Sequence, residues 1–87
     1  MTTLEMLLAH YGGVPIIPLE AAAQYWGYEA DTLAKKVKNG DVQVPFLRLD
    51  ESQKATRLMM LTDIAAIIEE RHQAAYKAFE EKWKKAT

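Results

Sequence analysis

The sequence contains no cysteine. Neither disulfides nor thiolate metal ligands can help it fold. Its only histidines are His10 and His72. A metal site would have to draw carboxylates from distant positions, so no metal and no cofactor is expected. No apolar run approaches the roughly 20 residues that span a bilayer. The start, MTTLEMLLAHYGG, lacks a basic leading region, and Glu5 and His10 interrupt its apolar stretch. With no small-residue cleavage site after it, it is not a secretory signal, and the expected location is the cytoplasm. Also missing are nucleophile–base spacings, a glycine-rich phosphate loop and carboxylate pairs in a recognisable setting. The reading is therefore not that of an enzyme.

The length, 87 residues, allows one domain with one small core. About half the residues are apolar, which separates the chain from disordered sequences. Net charge is −1, but it is unevenly spread. Residues 1–30 hold three acids and no bases. Residues 31–57 hold Lys35, Lys36, Lys38, Arg48, Lys54 and Arg57 against Asp31, Asp41, Asp50 and Glu51. Residues 58–87 balance. The middle third thus carries a local positive excess, and binding responds to the local field.

Glycine and proline are scarce enough to act as punctuation. Leu4, Leu7, Leu8 and Tyr11 fall at helical spacing before Gly12-Gly13, which predicts a helix over 3–11. Val14 to Ile17 is a short, proline-flanked edge strand at most. Pro18 suits a first helical turn. LEAAAQYW (19–26) then reads as two turns, closed by Gly27. Within 27–40, Leu33 and Val37 share one face of a short helix, and Thr32, Lys35, Lys36 and Asn39 share another. Gly40 ends it. Two short helices joined through Gly27 and Tyr28 make a helix-turn-helix.

VPFLRL (44–49) and RLMML (57–61) read as two strands of a hairpin around the polar DESQKAT. Thr62 is the expected N-cap of a long helix over 63–85, with Ile64, Ile67, Ile68, Ala75, Phe79 and Trp83 on its apolar stripe. The order is helix, helix-turn-helix, hairpin, long helix. The expected fold is mainly α with a small β-hairpin wing, a winged helix-turn-helix of 1–87.

The stretch GYEADTL resembles the turn of excisionase and MerR-type domains. Glu29 departs from them at the cap, where serine is usual and glutamate is a poor N-cap. Over nearly the whole chain, YGG-x4-IPLE (11–20), P-x2-RLDxSQK (45–54) and DIAAIIEERHQAA (63–75) resemble the pyocin activator family. The resemblance implies site-specific duplex DNA binding and activation of pyocin or prophage genes, with RNA polymerase as a further partner.

The candidate DNA contacts are Thr32, Lys35, Lys36 and Asn39 on the second short helix. Ser52, Gln53 and Lys54 join them at the hairpin tip, with Arg48 and Arg57 on its flanks. Lysine reaches phosphates or guanine, asparagine pairs with adenine, and threonine meets a thymine methyl. The bland alternative is an ordinary solvated helix face and an ordinary loop. Lys38 ranks last, because it shares the side of the helix that carries Asp31. Tyr76, Phe79 and Trp83 either close on Leu4, Leu7 and Leu8 or form a homodimer interface, and the dimer is favoured because so short a chain has little core. Two rival functions share the fold. One is an excisionase-like factor that bends DNA. The other is a small phage interaction module that binds protein instead of DNA, which the near-zero net charge keeps open.

Overall fold

A computed structural model describes residues 2–52 and 54–86. The elements are α1 (Thr3–His10), β1 (Ile16–Pro18), α2 (Leu19–Ala23), α3 (Ala30–Lys38), β2 (Leu58–Met60) and α4 (Leu61–Ala86). The fold is mainly helical, with a small two-stranded antiparallel sheet.

Helix α1 starts at a threonine N-cap. The Thr2 hydroxyl oxygen accepts the Glu5 backbone N–H at 3.1 Å, and the same hydroxyl donates to the Glu5 carboxylate at 3.2 Å. This satisfies one of the helix's orphan donors and places an acid in its first turn. Leu7 on α1 is buried, and α1 packs against α4.

Helix α2 is shorter than its composition implies. From Gln24 to Gly27 the chain tightens, each N–H bonding three residues back. The Tyr28 N–H then reaches the Ala23 carbonyl at 3.1 Å. This closure needs a left-handed residue at Gly27, where φ is +73°. A side chain there would be strained. Pro18 ends β1 and caps α2 instead of sitting inside the helix. Glu29 is the N-cap of α3, and its side chain makes no capping bond. Leu33 and Ala34 anchor α3 in the core.

The expected hairpin is different in its pairing. Strand β2 pairs with β1, in the register Ile16↔Met60, Ile17↔Met59 and Pro18↔Leu58. The Val44–Leu49 arm meets β2 at one place only, where Leu47 and Leu58 exchange two hydrogen bonds of 2.8 Å. Pro45 has no N–H to offer a ladder, so that arm cannot extend as a regular strand. β2 thus lies between β1 and Leu47, and residues 48–52 and 54–57 are in neither a helix nor a strand.

Helix α4 follows β2 with no connecting residue. It begins at Leu61, so Thr62 is a helical residue and not the cap. The Leu61 N–H donates to the Pro15 carbonyl at 2.9 Å. Twenty-six residues make α4 about 39 Å long. Its first two turns bury Leu61, Ile64 and Ala65, with Ile67 and Ile68 partly covered. Every residue from 69 to 84 is exposed. The largest fully buried side chains are Leu19, Leu33, Met59, Leu61 and Ile64, one or more from each of α2, α3, β2 and α4.

Leu33→Ala is expected to cost about 2–5 kcal/mol by removing buried methyls and leaving a cavity. In contrast Leu49→Ala, at a side chain 82% exposed, should stay within about 0.5 kcal/mol. Urea unfolding followed by circular dichroism measures both.

Candidate nucleic-acid interface

Because Leu33 and Ala34 face the core, α3 turns Thr32, Lys35 and Asn39 outward. These three are exposed, and Lys36 is half-buried beside them. The four therefore share one presented face, as their spacing implied. The Lys36 ammonium lies 5.1 Å from the centroid of the Tyr28 ring. A cation over an aromatic face is held there by the ring's quadrupole. Tyr28, ahead of α3, thus fixes the direction of Lys36.

The loop after Leu47 presents a second set. The Arg48 guanidinium lies 5.8 Å from the Phe46 ring centroid. Asp50 Oδ1 accepts the Ser52 N–H at 3.3 Å, and Ser52 Oγ accepts the Lys54 N–H at 3.2 Å. These local bonds shape the tip. The Ser52 hydroxyl thus spends one lone pair on the Lys54 N–H, and its hydrogen takes no part in either bond. Lys54 is exposed, and Gln53 lies outside the described residues.

Arg57 stands apart from the other candidates. Its side chain is only 22% exposed, and its guanidinium bonds Asp31 at 3.0 Å and Glu20 at 3.8 Å. It therefore joins the root of the loop to the first turns of α2 and α3. Asp31 sits on the same helix as the lysines, and Arg57 offsets its negative charge. A phosphate would have to compete with two carboxylates for this group.

Two features escaped the sequence reading. Leu49 is the most exposed large apolar side chain among the described residues, and it stands beside Arg48 on the loop. Alternation within VPFLRL gave it no distinguishing mark. The second is the phenol pair Tyr11–Tyr25, whose hydroxyls lie 3.1 Å apart and tie the end of α1 to the turn before α3. Burial and then the Tyr11 hydrogen bond push the Tyr25 phenol up to about 12.

Tyr76, Phe79 and Trp83 lie on the exposed half of α4. They touch one another edge to face or tilted, with centroids 6.4 and 5.9 Å apart. They are 53–60% exposed, so they do not close on Leu4, Leu7 and Leu8 of α1.

An open groove of about 490 Å³ lies between Trp26, Tyr28 and Val42 on one side and Ile64, Ile68 and Arg71 on the other. Among the described residues no group of three or more His, Cys, Asp or Glu is placed to hold a metal ion. Among them, too, no helix is long and apolar enough to cross a membrane.

A short helix showing lysines and a loop tied to its first turn by Arg57 are the features that the head of the molecule presents. The chain belongs to the pyocin activator family: the family described as "Pyocin activator protein PrtN" matches residues 3–75. That family is regulatory and points to a role in transcription activation. No curated protein and no solved structure matches the chain.

The raised Tyr25 pKa sets the sign of an alkaline effect. The fold favours the protonated phenol, so its contribution is complete below pH 10 and is lost as pH rises toward 12. Thermal melts across that window should show a fall that Tyr25→Phe makes shallower.

Proposed function

We propose that the chain is a winged helix-turn-helix protein that binds duplex DNA at specific sites and activates pyocin- or prophage-type genes. The observation that carries this reading is the Arg57–Asp31 bond. It fastens the root of the 48–57 loop to the first turn of α3, so a helix and a wing project from neighbouring points. α2 and α3, joined through the Gly27 turn, are then the helix-turn-helix, and α3 is the element that enters the major groove.

The division of labour follows from exposure. Thr32, Lys35 and Asn39 are exposed, and their chemistry suits thymine, guanine and adenine in turn. Lys36, drawn aside by Tyr28, is placed for a phosphate. On the wing, Arg48, Ser52, Gln53 and Lys54 supply donors for backbone or minor groove, and Leu49 is an apolar wedge for a base step. Arg57 keeps Asp31 from repelling the duplex and is a poorer direct contact. The low net charge does not oppose this reading, because binding responds to the local field, and Arg57 offsets both Glu20 and Asp31 beside α3.

Selection of random duplexes at about 150 mM salt, a range where non-specific phosphate binding weakens, tests the proposal. A defined motif is expected. Its occurrence at promoters supports an activator, and tandem copies beside a recombination site would support the excisionase-like role instead. No enrichment, and no retained duplex at low salt, would remove DNA binding altogether. Asn39→Ala should cost about 1–3 kcal/mol and relax specificity at one base pair. Lys36→Ala should weaken specific and non-specific binding alike and lower the salt slope by about one unit. Fluorescence anisotropy titrations over a salt series read both.

A further inference from the structure

Asp31 puts an acid at the edge of the face that the DNA-binding reading turns toward a polyanion. It occupies the first turn of α3, directly before Thr32 and four residues before Lys35. Its side chain is 83% exposed, and the Arg57 guanidinium bonds its Oδ1 at 3.0 Å. Residues at i and i+4 stand side by side on a helix, so Asp31 borders the presented face at Lys35. In a helix-turn-helix the N-terminal residues of the recognition helix are the ones that meet base edges.

Two plain roles leave this arrangement unexplained. An acid in a first turn suits the helix dipole, but it does so without a bonded partner. An ion pair with so exposed a member adds little to stability, and Arg57 already faces Glu20 at 3.8 Å. What the bond does is hold a carboxylate in one place beside the lysines and offset its charge. Arg57 is itself mostly covered, so the group that holds the carboxylate has little room to move.

We infer that Asp31 reads a cytosine in the major groove, with Arg57 as its positioning residue, a role that rests on the DNA-binding reading given above. An ionised carboxylate only accepts hydrogen bonds. Guanine shows that groove the acceptors N7 and O6, and thymine shows O4 and a methyl group, so both are rejected. Adenine offers its N6 amino group, but its N7 sets a second acceptor against the carboxylate. Cytosine offers the N4 amino group without one. A carboxylate has about four lone-pair sites, so it can accept from N4 while it still holds Arg57.

A bare acid would be repelled by the phosphates. Arg57 removes that repulsion and leaves a directional acceptor, so the pair contributes selectivity and not affinity. Lys35 has the opposite chemistry, a donor that suits guanine O6 and N7. Acid and lysine side by side therefore suit a cytosine and a guanine, on one base pair or on adjoining ones.

The test runs duplex selection on wild type, Asp31→Ala and Asp31→Asn in parallel. Anisotropy titrations then compare the selected site with its single-base variants. Wild type should favour cytosine at one position by about tenfold. Asp31→Ala should bring that ratio near one and leave the rest of the motif as it was. Asp31→Asn should move the preference to adenine, whose N6 and N7 suit an amide. Arg57→Gln should weaken the same cytosine preference, and adding Asp31→Ala to it should remove little more, the non-additivity of a residue that acts through another. Circular dichroism checks the fold of each variant. The Asp31 variants, at an exposed position, decide the matter even where Arg57→Gln loosens the loop. A motif unchanged in Asp31→Ala, with all duplexes gaining or losing affinity alike, overturns the inference and leaves DNA binding intact. A preference lost at a guanine or thymine position overturns it as well. Wild-type protein that retains no duplex even at low salt defeats the DNA-binding reading, and the role of Asp31 falls with it.

Discussion

Five residues, Arg57 to Leu61, hold the head of the molecule together. Their backbone is bonded on both sides. Arg57 accepts from Leu19, Leu58 exchanges bonds with Leu47, and Leu61 donates to Pro15. Met59 fills the core opposite Ile17, and the Arg57 side chain reaches α2 and α3 through Glu20 and Asp31. Because the side-chain period of a strand is two, a slip of one residue would turn Met59 outward and Leu58 inward. It would also carry Arg57 away from Asp31. Strand register, the setting of α3 and the start of α4 are therefore one constraint and not three. A ladder of three residue pairs would be marginal by itself. It is secure here because helices pack against both strands.

Much of this was legible in the sequence, and the parts that were share a cause. Helices α1, α3 and α4 rest on local periodicity, and their stops rest on local glycines. The face of Thr32, Lys35, Lys36 and Asn39 follows from helix geometry alone once Leu33 is assigned to the core. What failed was non-local. VPFLRL alternates like a strand, yet the partner of β2 lies far upstream at Ile16–Pro18, and no local pattern points to it. Arg57 looked like one more base on a hairpin flank, because Asp31 and Glu20 are adjacent to it only in space. Thr62 has the chemistry of a cap. The helix nonetheless begins at Leu61, because the strand feeds it without a bend.

The apolar stripe of α4 shows the same limit from another side. Periodicity identified the stripe, and it continues through residue 83. It carries no information about which protein surface covers each turn. Burial of Leu61 and exposure of Trp83 look alike in the sequence, since both satisfy the same helical spacing. Leu49 is the converse case: an apolar residue in an apolar-polar alternation reads as interior, and here it faces water.

The junction of β2 and α4 has a mechanical meaning. A loop between them would let the head swivel on the helix, but no residue intervenes. The backbone passes from ladder to helix with the Leu61 N–H already held by Pro15. The long helix is therefore a rigid lever, and whatever grips its far end is geared to the orientation of α3. A stiff coupling of this kind passes on rotation without absorbing it. A turn applied to the far end of α4 becomes a turn of the head, because Leu61 and Ile64 are locked in the core and move with the helix.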